Sequence, residues 1–202
     1  MIRVDLQPEY DGFDAKVRQP GQAFLQDNPS PSSKEFKKKN YWTRSLPELM
    51  AAYDKRCAYT SRKLVETGSV DHFRPKCNYP HLAYEWGNFR LSRQRINSRK
   101  GNSEELLDPC AICDGWFVLD LPSCLVRPAA GLSREHRVGV NKTISTLGLN
   151  QDEQLVEERF ELLCALGSEH ITLTYLDSFF PFLSREVRRQ DILDELPTLL
   201  SL

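Results

Sequence analysis

Long apolar runs are missing from this chain of 202 residues. No segment approaches the roughly 20 apolar residues that a membrane-spanning helix needs, so we predict no membrane partner. The first residues, Met1 to Asp5, show no signal-peptide pattern, and we therefore expect the chain to be cytoplasmic. Its six cysteines are then expected to be reduced, which excludes a disulfide-stabilised secreted fold.

A second pair of closely spaced cysteines is also missing. Cys110 and Cys113 have the spacing of a zinc knuckle, but a structural zinc ion takes four ligands. Cys57, Cys77 or a histidine would have to supply the other two. We therefore favour buried or incidental thiols, and a zinc ion at this pair is left open.

Familiar nucleotide-binding and base-reading motifs are absent too. The chain has no glycine-rich phosphate loop, so no visible motif binds ATP. It has no helix-turn-helix, RNA-recognition or zinc-finger pattern. Sequence-specific reading of nucleic acid is therefore not predicted from any motif.

Residues 70 to 101 hold the side chains with the clearest chemical pattern. Asp71 and His72 stand together in the segment Val70-Asp71-His72-Phe73-Arg74-Pro75-Lys76. Asn88 and Asn97 follow in order. Imidazole titrates near neutral pH, so His72 can take a proton from water. Asp71 and Asn97 offer hard oxygen donors of the kind that Mg²⁺ prefers.

The local sequence predicts two strands and a helix around these residues. Residues 68–73 and 89–92 are typical of short strands, with a bend at Arg74-Pro75. Ser92 is predicted to cap a helix over residues 93–100, and Gly101 is predicted to end it. The three elements would then converge on one metal position.

This ordered set of Asp-His, Asn and Asn resembles the core of the HNH nucleases, the ββα-metal fold. The resemblance implies that Asp71 and Asn97 hold one divalent metal ion, Mg²⁺ or Mn²⁺, and that His72 is the general base. Asn88 would brace the loop that carries the base. Nine positions separate Asn88 from Asn97, as is usual in the family.

The flanking segments resemble one bacterial branch of that family, the nuclease subunits of Septu-type and retron-linked anti-phage systems. The matching segments are Cys57-Ala58-Tyr59-Thr60, Leu107-Asp108-Pro109 and Leu147-Gly148-Leu149-Asn150. Members of this branch work beside an ATPase, which implies an ATPase or another defence protein as a partner here.

The chain departs from that branch at its zinc ribbon. The positions of the two cysteine pairs are occupied by Cys57, Thr60, Arg93 and Ile96, so the ribbon cannot form. We expect packing of aromatic side chains to replace it. The candidates are Tyr59, Phe73, Tyr84, Trp86 and Phe89.

The net charge of −1 is distributed unevenly. Residues 55–101 carry eleven Lys and Arg against three acids, and residues 151–202 carry eleven acids against four bases. The basic side chains near Asp71 and His72 are therefore predicted to bind nucleic acid, with a solvated charged face as the alternative. These candidates are Arg74, Lys76, Arg90, Arg93, Arg95, Arg99 and Lys100.

The remaining sequence predicts an α+β protein, with a small ββα-metal core embedded in a mainly helical single domain. We divide the chain into an N-terminal arm (1–45), a nuclease core with a following hairpin (46–130) and a helical C-terminal region (131–202). Residues 1–33 of the arm are predicted to be irregular, and one final helix is predicted over residues 185–200. The acidic C-terminal residues are assigned to packing, oligomer contacts or a protein partner.

Taken with the resemblance, these patterns favour a metal-dependent endonuclease in bacterial anti-phage defence, with DNA favoured over RNA as the substrate. The alternative is a catalytically silent subunit that binds nucleic acid or has a structural part in a defence complex. Such a subunit would be expected to have lost Asp71, His72 or Asn97, and all three are present.

Overall fold

The computed structural model describes residues 1–200 and separates them into two compact units. We call residues 4–58 and 64–104 the site unit. Residues 1–3 and 59–63, together with the described residues from 105 onward, form the C-terminal unit. Two small sheets and a majority of helices confirm the predicted α+β class. The division into three ranges stays a prediction.

Residues 1–12 contain no helix or strand, as predicted, but helical structure follows them, so the prediction of an irregular segment over residues 1–33 was wrong for its second part. A π-helical turn at Asp14–Arg18 continues directly into α1 (Gln19–Asp27), and α2 spans Ser33–Lys38. Ser32 and Glu35 cap α2 reciprocally, which satisfies amide groups at its first turn. Pro47 lies in the first turn of α3 (Leu46–Ala52), where its missing N–H costs nothing.

Aromatic side chains form the core of this unit and explain its close packing. Tyr84, Trp86 and Phe89 are buried, as predicted, whereas Phe73 is only half-buried. A methyl group added to Gly21 would lie 2.1 Å from Cγ of Tyr84, so helix α1 can approach the ring only with glycine at that position.

The predicted strands and helix of the site are present. Strand β1 (Ser69–His72) pairs antiparallel with β2 (Phe89–Ser92), and the register places Asp71 opposite Arg90. Helix α4 (Gln94–Lys100) follows, and Gly101 ends it with a φ of +52°, a conformation that glycine adopts most readily. Ser92 does not cap the helix as predicted, because it remains in β2 and Arg93 occupies the cap position.

The C-terminal unit combines the predicted hairpin with five helices. Strands β3 (Phe117–Asp120) and β4 (Leu125–Pro128) pair antiparallel. The helices that follow are α5 (Arg134–Leu147), α6 (Glu153–Gly167), α7 (Leu173–Phe179), α8 (Pro181–Gln190) and α9 (Leu196–Leu199).

The predicted single helix over residues 185–200 is therefore interrupted; residues 201–202 of the C-terminal range lie outside the described residues. Asp191 ends α8 in a left-handed conformation with a φ of +50°. Pro197 then lies in the first turn of α9, where a proline starts a helix more easily than it continues one.

Two polar side chains hold the sheet of the C-terminal unit in place. The amide of Asn150 bonds both the N–H and the C=O of Val126, at 2.8 Å each, as a neighbouring strand would. The fully buried carboxylate of Glu186 accepts hydrogen bonds from the backbone N–H of Leu119 and from Arg185 and Arg189. None of the helices within residues 1–200 is both long and apolar enough to cross a membrane.

Candidate functional site

Strand β1 and helix α4 bring the predicted site residues to one pocket of about 380 Å³ in the site unit. Asp71, His72 and Asn97 all line it. The rest of the wall comes from α3 and its preceding turn and from the segments flanking β1 and α4, including Trp42, Leu46, Ser69, Pro75 and Lys76. The sequence pattern and the geometry therefore agree on where these three side chains meet.

The ring of His72 is fixed on several sides. It is 6% exposed, and the rings of Trp42 and Phe89 meet it edge-on, with centroids 4.9 and 5.3 Å away. Its Nε2 lies 2.8 Å from the carbonyl oxygen of Ala83. A carbonyl can only accept, so Nε2 carries the proton of the neutral ring and Nδ1 is left as the basic nitrogen.

Burial controls the protonation of this histidine. The pKa of His72 is lowered to about 3, chiefly because its ring is removed from water and also because the ammonium groups of Lys76 and Lys100 are near; the hydrogen bond to Ala83 acts in the opposite direction. The ring is therefore neutral throughout the physiological pH range. Neutral imidazole is the form that a general base requires.

Asn88 makes the contacts expected of a brace. Its Oδ1 accepts a hydrogen bond from the N–H of Arg74 at 2.7 Å, and its Nδ2 donates to the carbonyls of Arg74 and Leu82 at 3.0 and 3.1 Å. These bonds join the chain that leaves β1 to the turn just before Ala83. Asn88 thus stabilises both sides of the loop that orients His72, and its part in catalysis stays a prediction.

Asn97 connects α4 to β1. Its Nδ2 donates to Oγ of Ser69 at 3.0 Å and to the carbonyl of Val70 at 3.2 Å. Because the Val70 carbonyl can only accept, these bonds fix which end of the amide is the nitrogen. The side-chain oxygen of Asn97 therefore lies on the other side of the amide, in a residue that lines the pocket.

Asp71 is paired with a lysine that the sequence analysis assigned elsewhere. Nζ of Lys100 lies 3.1 Å from Oδ1 of Asp71 and donates to the carbonyl of His72 at 2.7 Å. The Lys100 side chain is 0% exposed and that of Asp71 is 2% exposed. The ion pair is therefore buried and joins the last turn of α4 to β1.

The donor atoms suit a hard divalent cation. Asp71, which carries a carboxylate, and Asn97, which carries an amide oxygen, line the same pocket, and Mg²⁺ commonly takes only one or two protein oxygens beside water and phosphate. Across residues 1–200, no group of three or more His, Cys, Asp or Glu side chains is placed to hold a metal ion. This applies to Cys110 and Cys113 as well, so the structure offers zinc no such cluster there.

Five of the seven basic residues predicted to bind nucleic acid have some exposure. Arg74 and Arg95 are exposed, whereas Lys76, Arg93 and Arg99 are half-buried. Lys76 also lines the pocket, where its ammonium lies 5.3 Å from the centre of the Trp42 ring. Burial lowers the pKa of Lys76 from its ordinary value. Arg93 is paired with Glu66 at 3.1 Å.

The assignment of Arg90 and Lys100 to phosphate binding needs correction, because both are buried in this structure. Arg90 is 4% exposed and donates to the carbonyls of Gly87 and Phe89, each at 2.8 Å. Lys100 is committed to Asp71 and His72. Both cations therefore support the site from inside rather than present their charge at the surface.

Sequence reasoning missed three contributors to the site: the pairing of Lys100 with Asp71, the ring of Trp42 and the carbonyl of Ala83. One signal was available for the first, since Asn97 and Lys100 are three residues apart on a helix and so share a face. Trp42 and Ala83 carry no local signal, because their contacts with His72 depend on the tertiary fold.

Comparison with known proteins finds similarity to a curated bacterial protein. No family model matches the sequence. Over 114 residues the chain is 28% identical to the Septu protein PtuB of Bacillus thuringiensis. The match covers 55% of this chain and 43% of that protein, so the chain spans less than half the length of the relative. The predicted similarity to a Septu protein is confirmed, and the wider assignment to the HNH nucleases stays a prediction.

Proposed function

We propose that this chain is a metal-dependent endonuclease that hydrolyses phosphodiester bonds, with DNA favoured over RNA, as an effector of anti-phage defence. One observation carries the proposal: β1 and α4 place Asp71, His72 and Asn97 at one pocket, and the Ala83 carbonyl orients the ring of His72. The match to a Septu protein supports the defence setting.

The proton transfer in this reaction is assigned to His72. Nδ1 takes a proton from a water molecule while the oxygen of that water attacks phosphorus. The bond between phosphorus and the leaving sugar oxygen breaks in the same step. The Ala83 carbonyl holds the Nε2 proton, and its partial negative charge stabilises the imidazolium that forms. A divalent ion would be held by Asp71 and Asn97 and would polarise the phosphate and neutralise charge on the leaving oxygen.

Substrate positioning is assigned to the cations around the pocket. Lys76 lines it directly, and Arg74, Arg93, Arg95 and Arg99 provide positive charge in the neighbouring segments. Contacts of this kind bind the phosphate backbone and carry no base information. The proposed activity is accordingly one without strong sequence preference. We also propose that a protein partner controls this activity. The family resemblance implies that the partner is an ATPase.

The decisive experiment is a cleavage assay of purified protein with Mg²⁺ or Mn²⁺. Supercoiled plasmid, single-stranded DNA and tRNA are offered as substrates, with His72→Ala as the inactive variant and His81→Ala, an exposed histidine, as its matched control. We expect cutting by the wild type and by His81→Ala, and none by His72→Ala. Equal cutting by His72→Ala would contradict the assigned base.

If no substrate is cut, two explanations remain. Thermal stabilisation of the protein by Mn²⁺ distinguishes them. Stabilisation by Mn²⁺ without cleavage would indicate that an activating partner is required. Neither stabilisation nor cleavage would favour the alternative, a silent subunit that binds nucleic acid or has a structural part in a defence complex.

A further inference from the structure

Lys100 forms an ion pair with Asp71, the proposed metal ligand, in the protein without metal. Its ammonium, fully buried, lies 3.1 Å from Oδ1 of Asp71 and 2.7 Å from the carbonyl oxygen of His72. Removing an ammonium from water is costly unless it is well paired, and here a carboxylate and a carbonyl pair it. The ion pair is therefore a buried contact of Asp71, a residue that lines the pocket, rather than a surface contact.

This arrangement opposes the binding of a second cation. A divalent ion bound to the Asp71 carboxylate would lie about 2 Å from an oxygen. Because Nζ is within 3.1 Å of that group, the two cations would be only a few ångströms apart. Like charges at such a distance, with little water between them, repel strongly.

The charge balance of the pocket points the same way. Asp71 supplies one negative charge, and Lys100 and Lys76 supply two positive ones. A divalent ion would add two more positive charges. A phosphodiester in the pocket adds a negative charge and further oxygen ligands, so it offsets what Lys100 opposes.

We propose that Lys100 is the resident counter-ion of Asp71 and makes binding of the divalent ion depend on the phosphate of the substrate. The inference rests on the proposed function and adds an order of assembly to it. Lys100 is a positioning residue, since it does not line the pocket and acts through Asp71. A merely structural tie between α4 and β1 would leave metal affinity unchanged, and this difference is measurable.

The first test compares metal affinity without nucleic acid. MnCl₂ is titrated against wild type, Lys100→Met and the control Lys37→Met, and the midpoint of the thermal stabilisation is recorded. Lys37 is an exposed lysine on α2 that does not line the pocket, so its loss removes the same formal charge at a position outside the site. We expect Lys100→Met to bind Mn²⁺ about tenfold more tightly or better, and Lys37→Met to match the wild type.

A second neutral variant guards against misfolding of Lys100→Met. Lys100→Gln keeps an N–H donor for the carboxylate and removes the charge, so the same lowered midpoint is expected. Asp71→Asn should abolish the thermal stabilisation by Mn²⁺ both in the wild type and in the neutral Lys100 variants. Equal midpoints for wild type and the neutral variants would overturn the role of Lys100 and leave the nuclease proposal intact.

The second test needs no change at Lys100. In the His72→Ala background, which prevents turnover, Mn²⁺ is titrated with and without a DNA duplex, with single-stranded DNA and tRNA in parallel. We expect the midpoint to fall by about tenfold when one of these nucleic acids is present. An unchanged midpoint with all three would overturn the proposed order of assembly. Stabilisation by Mn²⁺ in none of the proteins would overturn the metal site, and the cleavage assay with a chelator would then decide the function separately.

Discussion

Nε2 of His72 lies 2.8 Å from the carbonyl oxygen of Ala83, eleven positions further along the chain. This contact leaves Nδ1 as the basic nitrogen and holds the ring in one orientation. It depends on the loop between β1 and β2, which Asn88 closes from both sides. The orientation of the proposed base is thus determined by a loop that contains no proposed metal ligand.

The burial of His72 should make stability depend on pH. Its pKa is about 3 in the folded chain and near 6.5 when unfolded, so the unfolded state binds more protons between these values. The stabilisation is present above pH 6.5 and is lost as the pH falls. We expect wild type to lose more stability than His72→Gln, by up to about 1.4 kcal/mol per pH unit.

Urea unfolding at several pH values, with a chelator present, measures this difference. Glutamine keeps an N–H that can reach the Ala83 carbonyl but cannot take up the proton, so it is a matched control. Parallel pH curves for the two proteins would show that His72 does not titrate as a buried group.

Asn88 should be essential for the loop as well as for activity. Asn88→Ala removes three hydrogen bonds and leaves the Arg74 N–H and two carbonyls without this partner. We expect a loss of about 2–4 kcal/mol in the free energy of unfolding, together with a fall in cleavage rate.

Asn78→Ala is the control for that variant. Asn78 lies in the same loop but is exposed, and its side chain bonds the side chains of Glu104 and Cys77. Its loss should change stability by less than about 0.5 kcal/mol. Similar losses for the two variants would mean that Asn88 is not a specific brace.

Glycine packing against the aromatic core gives a test that is independent of function. In Gly21→Ala the new methyl group would lie 2.1 Å from the Tyr84 ring, so α1 or the ring must move. We expect destabilisation of about 1–3 kcal/mol or more. A methyl group on Gly87 meets nothing within 4 Å, and Gly87→Ala should be nearly neutral. Thermal unfolding of both variants would check the contrast.

Local pattern predicted much of the site and little of what surrounds it. Strand β2 has the predicted bounds, and Gly101 ends α4 as predicted, because turn and strand signals lie in adjacent residues. The helices of the first 33 residues were missed, since their stability comes from packing against a distant aromatic core. The break at Asp191 was missed for another reason: aspartate adopts the left-handed conformation only in some contexts.

The side chains of the site show the same limit. Asp71, His72 and Asn97 were found because their chemistry and order are informative, and they do line one pocket. The direction of each basic side chain was not predictable, because charge in the sequence does not reveal burial. Arg90 and Lys100 are of the residue types that bind phosphate, but both are buried in the fold.

That contrast between exposed and buried cations yields the last prediction. Arg95 is exposed on α4, so Arg95→Ala should weaken binding to all nucleic acids alike and reduce the salt dependence of the binding constant by about one unit. Arg90 is buried against the carbonyls of Gly87 and Phe89, so Arg90→Met should instead lower the free energy of unfolding by about 1–3 kcal/mol. Salt titrations of binding and urea unfolding, run on both variants, separate the two effects. Unchanged affinity and salt dependence in Arg95→Ala would mean that this part of the basic surface is a solvated charged face that does not bind nucleic acid. The phosphate contacts would then have to come from Lys76 and Arg74.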